Sequence, residues 1–168
     1  MSNPSELYLV RHAIAAERGE DWPDDDKRPL TAQGVARFKE AVKGLRKIGV
    51  EVDEIFTSPL VRAKQTAVLL ASGLAGKPPV KVLDVLSPGH APSSVMAQLA
   101  RAARRRRIAL VGHEPDLGEL AAHLIGAGRA LPFRKGGVCR IEVESFTSRR
   151  PGALTFFVTP RLLRGLAS

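Results

Sequence analysis

The sequence holds one cysteine in 168 residues, Cys139, which excludes an internal disulfide and disfavours a thiolate metal cage. No apolar run approaches the length needed to cross a bilayer, so no membrane partner is expected. The opening Met1-Ser2-Asn3-Pro4-Ser5-Glu6 has neither the basic nor the apolar region of a secretory signal, and a cytoplasmic location is the expectation. No repeat or low-complexity linker divides the chain, which is expected to form a single domain over residues 1–168. Aromatic residues do not interleave with the basic run Arg104–Arg107, so nothing there would stack on bases and no nucleic-acid partner is expected. The run is expected at a helix C-terminus, where cations complement the macrodipole. The acidic triplet Asp24-Asp25-Asp26 lacks the alternating ligands of a calcium loop and is read as solvated, and no metal site or cofactor is expected.

What is present is an ordinary globular composition, 44% hydrophobic and 26% charged, with a net charge of +9. Such a surplus suits anionic partners, although charge alone does not choose among them. Leu7–Val10 reads as a strand ending abruptly at Arg11-His12, followed by a long surface loop from Ala13 to Pro29. Thr31 is placed to cap a helix with the apolar stripe Val35, Phe38, Val42, Leu45 and Ile48, which Gly49 ends. Val52–Phe56 reads as a second strand, and the helix after Ser58-Pro59 is expected to bury Val61, Val68 and Leu69. Val80–Leu86 reads as a third strand, and Ala91–Arg105 as a helix with Val95, Met96 and Leu99 inward. Ile108–Val111 has the continuous apolar character of a strand covered on both faces, and Pro115 opens a helix carrying Leu117, Leu120, Ala121 and Leu124. Val138–Val143 and Ala153–Thr159 read as an antiparallel hairpin. Alternating strands and helices predict an α/β fold: a mainly parallel central sheet between helical layers, with an antiparallel edge.

In such sheets, ligands bind beyond the carboxyl ends of the strands. Those ends carry Arg11-His12, Ser58-Pro59 with Arg62 one turn later, and Gly112-His113, so two arginines and two histidines converge from three places in the chain. Guanidinium forks match phosphate oxygens in pairs, and helix N-termini after Ser58 and His113 would add backbone N–H groups. A neutral imidazole whose other nitrogen is held protonated can attack phosphorus, with the cations stabilising charge on the equatorial oxygens. His123, mid-helix among alanines, is read as structural, His90 as a loop residue, and Cys139 as inert packing.

Four segments carry a family resemblance in order. Leu9-Val10-Arg11-His12-Ala13 resembles the Arg-His-Gly signature of the histidine phosphatase superfamily, with alanine for the common glycine. Arg28-Pro29-Leu30-Thr31-Ala32-Gln33-Gly34 is similar to the segment opening its first helix, Ser58–Ala67 to its second phosphate-binding segment, and Val111–Pro115 to its second-histidine segment. The resemblance implies a phosphoglycerate-mutase-like three-layer α/β/α sandwich, and the short chain is similar to the SixA group of phosphohistidine phosphatases. It implies His12 as the transiently phosphorylated nucleophile, with Arg11, Arg62 and His113 completing the phosphate pocket. Larger members carry an acid after the third strand that protonates the leaving alcohol. No residue of Val82–His90 matches it cleanly: Asp84 and His90 are the nearest candidates, and Glu114 or an acid of the 13–29 loop is the alternative. Without that proton donor a labile phosphoramidate is favoured over an ester, so the expected substrate is phosphohistidine in a protein. A small phosphate ester and non-catalytic capture of a phosphoprotein are the alternatives.

Overall fold

The computed structural model describes residues 3–168. Its elements run β1 (Ser5–Arg11), α1 (Ala32–Lys47), β2 (Glu54–Thr57), α2 (Val61–Gly73), β3 (Val80–Val82), α3 (Pro92–Ala102), β4 (Arg107–Gly112), α4 (Asp116–Ile125), β5 (Val138–Val143), β6 (Ala153–Val158) and α5 (Pro160–Ala167). The strands form one sheet in the order β3-β2-β4-β1-β5-β6. β1 to β4 are parallel, while β5 and β6 add an antiparallel edge beside β1.

Side-chain alternation along the buried strands divides the core in two. Tyr8, Val10, Ile55, Ala109 and Val111 face Phe38, Val42, Leu45, Ala67, Leu70 and Leu163 of α1, α2 and α5. Leu7, Leu9, Phe56, Ile108 and Leu110 face Val95, Leu99, Leu117, Leu120 and Leu124 of α3 and α4. Each fully covered large aliphatic side chain contributes roughly 1.5–3 kcal/mol. The result is the three-layer α/β/α arrangement expected from the sequence.

Four local readings change. Val80–Leu86 is a strand only over Val80–Val82, with a 3-10 turn at Asp84–Leu86, because this edge strand has β2 on one side and nothing to pair with on the other. Val68 is 54% exposed. The inward face of α2 is instead Arg62, Ala63, Thr66, Ala67 and Leu70, small or polar residues that let the helix lie close to the sheet. Ile48, expected in the α1 stripe, is the exposed C-cap residue. His123 is exposed on α4 rather than packed.

The start of α1 fixes the loop that follows β1. Thr31 accepts a hydrogen bond from the Gly34 N–H at 2.9 Å, and its own N–H donates to the Ile14 carbonyl at 3.0 Å. A Cβ on Gly34 would lie 2.1 Å from that carbonyl oxygen, so only glycine permits the approach.

Candidate active site

Strand register brings the chemistry together. Arg11 pairs with Gly112, and Thr57 with Val111, so the next residues, His12, His113 and Ser58, leave neighbouring strands on one edge. The His12 N–H donates to the Gly112 carbonyl at 3.0 Å, and the Ser58 N–H to the Val111 carbonyl at 3.0 Å. α2 then delivers Arg62 in its first turn. Arg11, His12, Arg62 and His113 line a single cleft of about 810 Å³, with Arg18, Asp25, Arg28, Glu114 and Lys135 also on its walls. The convergence expected from three separate places in the chain is present.

His12 is 6% exposed, and its Nδ1 lies 2.7 Å from the Ala13 carbonyl. A carbonyl only accepts, so Nδ1 carries the proton and Nε2 is left with its lone pair. Burial, opposed by that hydrogen bond and joined by the charges of Arg62, Arg11 and Arg28, lowers the ring's pKa to about 4. The backbone that provides this carbonyl is anchored from α2: Thr66 Oγ1 accepts the Ala13 N–H at 3.0 Å and donates to the Arg62 carbonyl at 2.7 Å. His113, 4% exposed, places Nε2 2.7 Å from Ser58 Oγ, and its rings and those of His12 are 5.3 Å apart. Its pKa is lowered to about 3, first by burial and then by His12 and Arg62.

Both histidines therefore bind protons in the unfolded chain that the folded one refuses. As pH falls below about 6.5, stability should drop progressively towards pH 4, by up to about 1.4 kcal/mol per unit for each ring. Nitrogen-15 NMR of the folded protein should show the His12 ring neutral down to about pH 4. A midpoint near 6.5 would mean that the ring is solvated.

The two arginines are built in differently. Arg11 Nη1 donates to the Phe133 carbonyl at 2.8 Å. Arg62, 3% exposed, donates from Nη1 to the Asp25 carbonyl at 2.8 Å and from Nη2 to Asp25 Oδ2 at 3.1 Å. Arg11 Nε, Arg62 Nε and His113 Nδ1 are buried with no hydrogen-bond partner among the described residues. Leaving a buried polar atom unsatisfied costs about 1–3 kcal/mol, and all three belong to residues that line the cleft.

Asp25 departs from the solvated-loop reading of its triplet. Besides Arg62, its carboxylate takes Arg28 Nε at 3.0 Å and Arg18 Nε at 3.2 Å through Oδ1. Burial alone would push the carboxyl up, but the Arg28 hydrogen bond and the charges of Arg62, Arg28 and Arg18 hold it below its ordinary value. Asp24 does keep the local role typical of such residues, accepting the Asp26 N–H at 3.1 Å as the cap of a 3-10 turn. Asp84, one candidate acid, is exposed and lies outside the cleft lining, to which only its neighbours Ser87 and Pro88 contribute. Glu114 does line the cleft, and burial raises its pKa against opposing backbone hydrogen bonds. Its oxygens accept the Gly118 N–H at 2.9 Å and the Phe133 N–H at 3.4 Å, so it ties the first turn of α4 to the segment whose carbonyl holds Arg11. The first-turn N–H groups of α4 at Leu117, Gly118 and Glu119 are likewise taken by His113, Glu114 and Pro115, and are not free for an anion.

Residues 7–87 match the sequence model of the histidine phosphatase superfamily (branch 1). A protein of Picosynechococcus described as uncharacterized is 41% identical over 137 residues, covering 79% of this chain and 82% of its own. The chain belongs to the histidine phosphatase superfamily. Within the superfamily, phosphohistidine phosphatase SixA of Escherichia coli is 28% identical over 141 residues, covering 83% of this chain and 86% of its own. A solved structure of the protein histidine phosphatase SixA complexed with tungstate superposes with a TM-score of 0.81 at 24% identity, over 94% of this chain and 99% of that one. That likeness establishes the phosphoglycerate-mutase-like fold. Arg11-His12-Ala13 lies within the matched segment, where the Ala13 carbonyl is the partner of the His12 imidazole.

Proposed function

We propose that this chain is a metal-independent phosphatase that works through a phospho-His12 intermediate and acts on phosphohistidine in proteins. One observation carries the reading: His12 is a buried, neutral imidazole with its Nδ1 proton fixed on a carbonyl at 2.7 Å and its Nε2 lone pair available inside a cationic cleft. In the first step Nε2 forms a bond to phosphorus as the bond to the leaving nitrogen breaks, and the electron pair departs with the leaving imidazole. Arg11, Arg62 and His113 hold the equatorial oxygens, where charge spreads in the transition state. In this reading the Ser58 hydroxyl, which accepts the Leu60 N–H at 3.2 Å, donates to His113 Nε2, so that the ring proton sits on the otherwise unpartnered Nδ1 as a donor for a phosphoryl oxygen. In the second step water attacks phosphorus, the bond to Nε2 breaks, and phosphate and neutral His12 are regenerated.

Rapid quenching after mixing with phosphorus-32-labelled phosphoramidate tests this directly. The label is expected on His12, through a linkage stable to base and lost in acid. Label on another residue, or turnover with no trapped intermediate at any time, overturns the proposal.

A further inference from the structure

The phosphate pocket already contains an anion of its own. Both terminal nitrogens of Arg62, the pair best matched to two phosphate oxygens, are directed at Asp25, one to its carbonyl and one to its carboxylate. The same carboxylate ties Arg28 and Arg18, so three guanidinium groups share one negative charge, with Arg11 and Lys135 as further cations on the cleft wall. This geometry reaches well beyond the local turn, because Asp25 and Arg62 are separated by 37 residues. Arg62 itself is buried in α2, whereas the Asp25 side chain is 41% exposed on a loop, so of the two partners it is Asp25 that can move.

We propose that Asp25 competes with the phosphoryl group for Arg62, and that this competition weakens the hold of the pocket on released phosphate. The proposal rests on the reading of Arg62 as a phosphoryl ligand. An oxyanion reaching Arg62 either displaces the Asp25 carboxylate towards Arg18 and Arg28 or shares the guanidinium with it through the buried, unpartnered Nε edge. Both routes bring like charges close together at the wall of the cleft, where their repulsion subtracts from affinity. Of the carboxyl groups on the cleft wall, Asp25 is the one bonded to Arg62, so its charge bears on product release more directly than those of Glu17, Asp26 or Glu114. Asp25 thus acts as a tuning and positioning residue: its carbonyl and carboxylate orient Arg62, and its charge sets how tightly that arginine binds.

Asparagine at this position keeps the backbone carbonyl and one side-chain acceptor while removing the charge. Titration calorimetry at pH 7 with inorganic phosphate and with tungstate should show Asp25→Asn binding about tenfold tighter than wild type. Asp25→Glu, which restores the charge, should return to within about twofold of wild type. Unchanged or weaker binding by Asp25→Asn overturns the proposal, as does equally tight binding by Asp25→Glu. Arg62→Gln is the separate control, expected to bind at least about tenfold more weakly by loss of charge-assisted hydrogen bonds. If Arg62→Gln binds normally, the pocket assignment itself fails, whatever Asp25 does.

Discussion

His12→Ala should eliminate turnover while leaving tungstate bound with an affinity within about fivefold of wild type. The substitution removes the Nε2 lone pair and leaves Arg11, Arg62 and His113, the groups assigned to the oxyanion, in place. No second nucleophile stands ready: Ser58 is fully buried, and its hydroxyl is held by His113 at 2.7 Å and by the Leu60 N–H. The fold should tolerate the change, because the His12 side chain makes one hydrogen bond, to Ala13, worth about 1 kcal/mol. Steady-state assays on a phosphohistidine peptide, paired with calorimetry, read both halves. Persisting hydrolysis would remove His12 as the nucleophile. Lost tungstate binding in a folded variant would show that the imidazole is itself an oxyanion ligand.

The second large effect is expected in substrate choice. kcat/KM for a phosphohistidine peptide should exceed that for a sugar phosphate by about 10²–10⁴-fold beyond the difference in their uncatalysed rates, the usual worth of general acid help. The reason lies in what the carboxyl groups of the cleft are doing. Asp25 is held ionised by arginines and has no proton to give. Glu114 has a raised pKa, yet both of its oxygens face backbone N–H donors. Glu17 and Asp26, the other carboxyl groups on the cleft wall, are exposed, and Asp84 is outside the cleft. A phosphorylated imidazole that arrives protonated departs as a neutral ring, whereas an alkoxide must find a proton. An aryl phosphate, with a better leaving oxygen, should fall between the two. Equal enhancement of ester and phosphoramidate would reveal a working acid among Glu17, Asp26 and Glu114, and replacing that residue by its amide would then abolish the ester activity selectively.

Much of this was legible before any fold was described. Arg11 and His12 end one apolar strand and Gly112-His113 ends another, positions that the apolar runs locate, while Arg62 is placed by the Ser58-Pro59 break before its helix. Asp25 was not legible in the same way, since an aspartate in a polar loop has the same composition whether it meets water or an arginine 37 residues away. Ser58 and Arg28 lay inside recognisable segments, but their roles depend on contacts, with His113 and Asp25, that no spacing encodes. Val68 was misplaced because α2 buries Arg62 and Thr66 for the site, so its inward face is not its most apolar one. Helix α5 left a signal that went unread: Thr159 caps it and Pro160 opens it, but it is short and leaves Leu162 and Leu166 exposed.

β1 lies in the interior of the sheet, hydrogen-bonded along its length to β4 on one side and to β5 on the other. The residue assigned to attack phosphorus is thus mounted on a segment that opens only when the whole sheet does. Heat or denaturant should therefore find no partly folded form with a selectively crippled cleft. Loss of catalysis and loss of structure would be one event, seen from two sides.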